Sequence, residues 1–353
     1  MKTTTMVIRP IQKSKIESVN FDNLSFGTIF SDHMFVCDYA DGAWGEPEIV
    51  PYAPIQLDPS ASALHYGQAI FEGMKAYKDD HGGVWLFRPD QNIKRLNKSA
   101  ERLAIPQFSE DLFLEGLHKL IDLDRDWVQS GVGNSLYIRP FIFASEASVQ
   151  ASPAKEYRIM IICAPVSSYY NSGEVRVKIA DHFSRAPQGG TGYAKAAGNY
   201  AGQFYPTQLA IDEGYQQIIW TDAATHQFIE EAGTMNLFFY IGDKLITAPT
   251  SDSILDGVTR KSVIELAKDR GIEVETRQLP ISELVEASKN SMLKEIFGSG
   301  TAVVVLPIHG FGYKGKEFHV PKSEDSLALR LKSDLTSIQY NLTDDPYGWC
   351  VKV

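Results

Sequence analysis

One lysine stands by itself. The 26 residues 186–211 carry a single charged side chain, Lys195, where a composition of 22% charged residues would place about five or six. Its surroundings, QGGTGYAKAAGNYAGQF, are glycine, alanine, threonine and aromatic residues. Small residues let backbone and a flat ligand approach closely. An amine among uncharged, buried neighbours gives up its proton more readily and becomes a nucleophile. Lysine amines of this kind form Schiff bases with carbonyl compounds and with pyridoxal phosphate. The same pattern also fits a solvated lysine on a glycine-rich loop.

A pyridoxal phosphate site needs more than a lysine. The phosphate wants a helix N-terminus, backbone N–H groups and an arginine or lysine. The pyridine nitrogen wants a carboxylate, and the phenolic oxygen wants a donor such as tyrosine. Arg95 is a phosphate candidate on a helix it shares with Lys94 and Lys98, although such a helix face could equally be solvated. Gly257, Val258 and Thr259 open another helix, whose first N–H groups point outward. The GSGTA segment at 298–302 precedes a valine run and could form an anion-binding nest or an ordinary turn. Glu230 and Glu231 are the only charges between Asp222 and Asp243. On extended chain they point to opposite faces, so one of them can be buried, where it needs a cation. Tyr137 and Arg139 share one strand face, which could present a guanidinium to a dicarboxylate or form a structural salt bridge.

Other chemistries lack their residues. No H-x-x-x-H pair, no G-x-x-x-x-G-K-[ST] and no G-x-S-x-G occurs. Cys37, Cys163 and Cys350 are far apart and form no C-x-x-C, so neither a zinc knuckle nor a dithiol motif is expected. No metal site is expected. A net charge of −10 without a long basic run argues against nucleic acid as a partner. No apolar run reaches the roughly 18 residues of a membrane span, and the start MKTTTMVIRPIQKSK has no apolar signal core. Few cysteines fit a reducing compartment, and a cytoplasmic location is expected.

These residues must be positioned by a chain of 353 residues, long enough for two domains without disulfide staples. Apolar spacing predicts helices over 92–104 and 110–129, the second with Ser109 as N-cap. Strands are expected at 135–143 and 157–164. Residues 165–174 read as a linker. Beyond it come strands at 175–180, 216–220 and 273–278, a hairpin turning at Gly242-Asp243, and helices at 259–270 and 326–340. Interleaved strand and helix signals make the class mixed α/β, with α+β character. The expected division is a domain over 1–164, a linker over 165–174 and a second domain over 175–353.

Taken together in their order, GGTGYAKAAGNY, EEAGTMNLFF, LDGVTR and FGSGTA resemble the branched-chain amino acid aminotransferases, pyridoxal phosphate enzymes of fold type IV. FGTIFSDHM (26–34), LHYGQAIFEGMKAY (64–77), LFRPDQNIKRL (86–96) and SLYIRP (135–140) agree, so the resemblance spans about residues 20–320. It implies a small mixed α/β domain, a larger pseudo-barrel domain, and a cofactor at the domain interface. It implies that Lys195 carries the Schiff base to pyridoxal 5'-phosphate. Tyr200 would bond the phenolic oxygen and Glu231 would face the pyridine nitrogen. Arg95 would bind the phosphate together with Val258, Thr259 and Thr301. The backbone of Thr301 and Ala302, aided by Tyr66, would hold the substrate α-carboxylate. Phe26, Phe71, Tyr137 and Thr234 would line the side-chain pocket, and Arg139 would receive the distal carboxylate of glutamate.

The activity implied is ping-pong transamination between branched-chain L-amino acids and 2-oxoglutarate. Small-molecule amino acids and 2-oxo acids are the expected partners. The family also implies a homodimer in which a loop matching about 144–156 reaches into the neighbour's site. Some family members carry a C-x-x-C after the GTA motif. Here Val303 and Leu306 stand there, so no thiol switch is expected. A D-amino-acid transaminase or an aminodeoxychorismate lyase would share the lysine and glutamate but not the 26–34 and 64–77 segments. A non-catalytic metabolite-binding protein of this fold would not need Lys195, Tyr200 and Glu231 intact.

Overall fold

Two long strands organise the first half of the chain. In the computed structural model, which describes residues 6–167 and 173–353, Ser135–Ala144 and Tyr157–Val166 pair antiparallel from Ser135↔Val166 to Ala144↔Tyr157. Side chains alternate across such a pair. Leu136, Ile138 and Ile142 enter a core that includes Ile93 and Leu96 of helix Pro89–Arg102 and Phe113, Leu117 and Leu120 of helix Glu110–Leu123. Tyr137 and Arg139 have the opposite parity. They share the face on which Phe141 and Phe143 meet Met34 and Met160. The strand pattern therefore turns the two candidate residues away from the helices.

The sheet has ten strands, and Ala69–Phe71 joins it beside Ser135–Ala144 with Phe71 opposite Phe141. Ser109 caps the second helix as expected, accepting from Leu112 N–H at 3.3 Å. That helix ends at Leu123 rather than 129 and is followed by a 3-10 turn, Arg125–Trp127. The Asp124 carboxylate at the break is buried and bound to the His33 backbone N–H (3.0 Å) and ring Nδ1 (2.6 Å). Tertiary hydrogen bonding thus stops what periodicity would continue.

The second half builds a mixed sheet of eleven strands. Arg176–Ile179 runs parallel to both Gln217–Thr221 and Gly310–Tyr313. Asn236–Ile241 and Lys244–Thr247 form the hairpin expected at Gly242, whose φ is +60°. Lys244–Thr247 then pairs parallel with Glu273–Thr276 after the helix Val258–Asp269, which is followed by Gly271 at φ +74°. On its other side Asn236–Ile241 pairs with Leu293–Gly300, Asn236 opposite Ser299. That register sets the 230s beside the GSGTA segment.

Contacts divide the chain into two units. The first holds residues up to 167 together with Ala194–Gly198 and Ile338–Val353, and the second holds 173–193 and Asn199–Ser337. This differs from a single cut between 164 and 175. The C-terminal strand Cys350–Lys352 adds to Val84–Phe87, and Ala196 bridges Ile70, so both segments pack with the first unit. The strand Tyr157–Val166 takes up residues 165 and 166 of the expected linker, and 168–172 lie outside the described residues.

Gly116 shows how tightly the first core is packed. A Cβ there would lie 2.4 Å from the ring of Phe35, which is fully buried. Alanine would gain about 0.5–1 kcal/mol of helix propensity but overpack the core by about 1–3 kcal/mol. Gly116→Ala should therefore lower the urea midpoint, and a raised midpoint would show that Phe35 can give way.

Candidate functional site

In the first unit, Lys195 is fixed by backbone before its amine is considered. Its N–H donates to Ser99 Oγ at 2.9 Å, and its carbonyl accepts from Phe71 N–H at 3.0 Å. Ser99 Oγ in turn bonds the carbonyl of Arg95 at 2.9 Å, one helical turn back. The Lys195 Nζ sits 4.7 Å from the Phe71 ring centroid. Its sequence neighbours are uncharged, but its spatial surroundings are not.

Glu72, next to Phe71, has no solvent exposure and takes Arg95 Nε at 2.7 Å, Arg95 Nη2 at 2.8 Å and Asn92 Nδ2 at 2.8 Å. Burial opposes its ionisation. The charge and hydrogen bonds of Arg95, the charge of Lys195 and the Asn92 amide outweigh burial and hold the carboxyl below its ordinary value. Arg95 is thus buried in an ion pair and does not lie on a solvated helix face.

The outward face of Ser135–Ala144 supplies the rest of this set. Arg139 Nη2 donates to the Tyr137 hydroxyl at 2.9 Å, and its guanidinium lies 4.6 Å from the Phe71 ring centroid and 5.3 Å from that of Tyr137. Phe26 meets the Tyr137 ring edge-on at 5.0 Å. Gly73 makes room, since a Cβ there would lie 2.3 Å from the Tyr137 hydroxyl. The result is an aromatic wall that carries the Arg139 guanidinium, with the Lys195 amine over its Phe71 ring. Tyr66 is held differently. It is exposed, and its hydroxyl donates to the carbonyl of Val149 in the 144–156 loop.

The second unit gathers the other candidates. Glu231 is buried, and its Oε1 meets Arg185 Nη1 at 2.9 Å. Its Oε2 accepts from Asn236 Nδ2 at 3.0 Å and Leu255 N–H at 3.1 Å. Glu230 is half-buried and bonded by the Ser253 hydroxyl, and burial pushes its carboxyl up. Neither glutamate therefore caps a strand end in solvent.

Helix Val258–Asp269 starts behind Gly257 with no side-chain cap, and Val258 and Thr259 are buried. A Cβ on Gly257 would lie 2.0 Å from Asn236 Oδ1, so glycine lets this helix start close against the strand. Ser299, opposite Asn236, has a buried hydroxyl without a partner. Thr301 and Ala302 follow in a tight turn that ends at Val304, whose φ of +60° is strained for a β-branched residue. Thr234 is exposed, and its carbonyl lies 3.0 Å from where a Cβ on Gly300 would be. Tyr200 is half-buried on the short helix Ala197–Ala201.

These donor sets fit pyridoxal phosphate. A buried, cation-held carboxylate suits a ring nitrogen. A helix start without a side-chain cap beside an orphaned buried hydroxyl suits a phosphate. Among the described residues no group of histidine, cysteine and acidic side chains could hold a metal ion, and no helix is long and apolar enough to cross a membrane.

Glu72, Asn92, Ser99, Asn236 and Arg185 were not singled out from the sequence. For Glu72 a signal existed, because it is the only acidic residue between Asp58 and Asp79 and lies in an apolar stretch. The others are ordinary polar residues until the fold brings them to their partners.

A profile of the amino-transferase class IV family matches residues 69–311. Branched-chain-amino-acid transaminase 1 of Bacillus subtilis is 46% identical over 336 residues, covering 94% of this chain and 94% of its own. The crystal structure of the branched-chain amino acid aminotransferase from Escherichia coli superposes with a TM-score of 0.72 at 27% identity, over 91% of this chain and 98% of that one. The branched-chain amino acid aminotransferase from Thermobaculum terrenum, in its PLP-bound holo form, superposes with a TM-score of 0.73 over 90% of this chain and 97% of that one. At 20% identity that second likeness is one of fold.

Removing one partner of a buried ion pair costs about 3–5 kcal/mol, so Glu72→Gln should lower stability by that order near pH 7. Because Glu72 is held ionised below its ordinary value of 4.5, its contribution is full above that pH and fades as pH falls through the folded-state value. Urea unfolding between about pH 5 and 3 should show a shallower acid decline in the variant than in the parent. Equal slopes would mean that another group titrates there.

Proposed function

The chain belongs to the class IV aminotransferase family, and from that premise we propose that it transfers the amino group of leucine, isoleucine and valine to 2-oxoglutarate, giving branched 2-oxo acids and L-glutamate. One observation carries the reading to the substrates. Phe26, Phe71 and Tyr137 form an aromatic wall that carries the Arg139 guanidinium, with the Lys195 amine over the Phe71 ring. A wall of this kind takes an isobutyl or sec-butyl group by burial. Its guanidinium takes the distal carboxylate of a dicarboxylic partner as a charge-assisted pair.

Pyridoxal 5'-phosphate, when bound, supplies an electron sink that makes the substrate α-proton acidic. The chain's own residues do the rest. Lys195 Nζ takes the proton from the substrate α-carbon and returns one in the opposite half-reaction. Glu231 holds the ring nitrogen and Tyr200 the phenolic oxygen. Arg95, Val258, Thr259 and Thr301 hold the phosphate; a guanidinium has five donors, so serving Glu72 leaves Arg95 chemistry for a second anion. The backbone of Thr301 and Ala302 holds the α-carboxylate, and Thr234 completes the side-chain pocket.

Assembly as a homodimer is part of the proposal. Tyr66 is bonded to the 144–156 loop, and Leu64 and Val149 expose 62% and 60% of their surface, which supports a loop that serves a second copy with Tyr66 on it. Cys37, Cys163 and Cys350 are all free thiols, which fits residence in the cytoplasm.

A panel of amino donors with 2-oxoglutarate decides the activity. Turnover should be confined to the branched L-amino acids and glutamate. Reaction with D-alanine, or cleavage of aminodeoxychorismate, would move the chain to a different class IV activity. Lys195→Ala should be inactive yet folded, and borohydride reduction of the parent holoenzyme should attach the pyridoxyl group to Lys195 and to no other lysine.

Arg139→Met keeps the stacking volume and removes the charge. Loss of a charge-assisted bond of about 1.5–3 kcal/mol should raise the 2-oxoglutarate requirement roughly ten- to hundredfold. The leucine half-reaction, followed by single-turnover kinetics, should change little. An equal fall in both would make Arg139 structural.

A further inference from the structure

Arg185 lies outside every segment that resembles the family's motifs, yet it is among the most deeply buried charges in the second unit, with 2% of its side chain exposed. Desolvating a guanidinium is expensive, and a packed apolar side chain would hold a loop as well. Its contacts explain the charge. Nη1 meets Glu231 Oε1 at 2.9 Å and donates to the Ser253 carbonyl at 2.8 Å, while Nη2 donates to the Gly192 carbonyl at 3.1 Å. One planar fork therefore joins three segments of chain.

Two of those segments, the one through Gly192 and the one through Ser253, are already in direct backbone contact. A Cβ on Gly192 would lie 2.5 Å from Ser253 Cα and 2.7 Å from the Asp252 carbonyl. Tyr193 N–H donates to the Asp252 carbonyl at 3.0 Å, and Gly189 N–H to Asp252 Oδ2 at 3.1 Å. Three residues after Gly192 the chain reaches Lys195. Arg185 thus anchors the approach to the lysine to the same carboxylate that the functional reading sets against the ring nitrogen.

The charge has a second consequence. A carboxylate buried without a cation takes up a proton, and a protonated Glu231 could not keep a ring nitrogen protonated. Arg260 also feels Glu231, but without an ion-pair contact to it, and its Nη2 donates to the Ala248 carbonyl at 2.7 Å. Arg185 is in direct contact.

We propose that Arg185 is a positioning residue that holds Glu231 as an oriented anion and ties it to the loop leading into Lys195. This rests on the reading that Glu231 faces the ring nitrogen. Arg185 acts through Glu231 and touches neither cofactor nor substrate itself.

The test compares the affinity of the apoenzyme for pyridoxal 5'-phosphate with that for its 1-deaza analogue, in which CH replaces the ring nitrogen. The parent should prefer the natural cofactor. Glu231→Gln should remove most of that preference. Arg185→Gln should lower it by roughly tenfold or more, the scale of one charge-assisted hydrogen bond. The double variant should lose no more preference than Glu231→Gln alone, and Arg185→Lys, which keeps the charge, should recover part of it. If Arg185→Gln does not fold, Arg185→Lys is read alone, with a preference reduced but present. Weaker binding of both ligands with an unchanged ratio would overturn the proposal and leave Arg185 a structural clamp. An unchanged ratio in Glu231→Gln would instead overturn the placement of Glu231, whatever Arg185 does.

Discussion

A carboxylate taken out of water must be met by a cation or by several hydrogen-bond donors, or it will not remain a carboxylate. Around the candidate residues the chain meets this requirement with Glu72 against Arg95 in the first unit and Glu231 against Arg185 in the second, as it does elsewhere with Asp124 against His33 and Glu295 under three donors. Neither pair is a bargain for stability, because the desolvation cost of such pairs can equal their attraction. What they provide is direction. Glu72 fixes Arg95 on its helix, and through Ser99 that helix receives the backbone of Lys195. Glu231 takes its orientation from Arg185, Asn236 and Leu255 together.

Close backbone approach is the complementary device. Gly257 and Gly192 are positions where any side chain would strike a neighbour, and each allows a loop or helix start to pack directly against the next segment. Gly73 does the same for the Tyr137 hydroxyl. Strain accompanies this tightness at Val304, directly after the Thr301–Ala302 turn. The surrounding hairpin pairs from Ile296↔Ile308 to Gly300↔Val304 and holds that conformation in place.

The substrate problem for a branched-chain transaminase is that one pocket must take both a hydrocarbon and a carboxylate. Strand alternation offers a solution. Tyr137 and Arg139 share a face because they are two residues apart, and the Arg139 guanidinium lies over the Phe71 ring while its Nη2 donates to the Tyr137 hydroxyl. In the proposed pocket an apolar side chain would meet ring surface, whereas a carboxylate would meet N–H groups.

Much of this was legible before folding. The isolation of Lys195, the Ser109 cap, the Gly242-Asp243 turn and the shared face of Tyr137 and Arg139 are local properties, set by composition, capping chemistry and a period of two. The motif order carried the family because those segments are contiguous in the chain. Tertiary structure decided the rest. It ended the 110–129 helix at Leu123 by engaging Asp124 with His33. It placed the Lys195 segment and the C-terminal strand with the first unit through sheet pairing. It also buried Arg95 against Glu72, where its sequence neighbours suggested a solvated face. Arg185 and Ser99 lie outside the quoted motifs, and Asn236, though inside one, has no role that the motif assigns. Their meaning comes from partners 46, 96 and 5 residues away. A hydrogen bond or ion pair is defined by distance in space, and only the folded chain sets that distance.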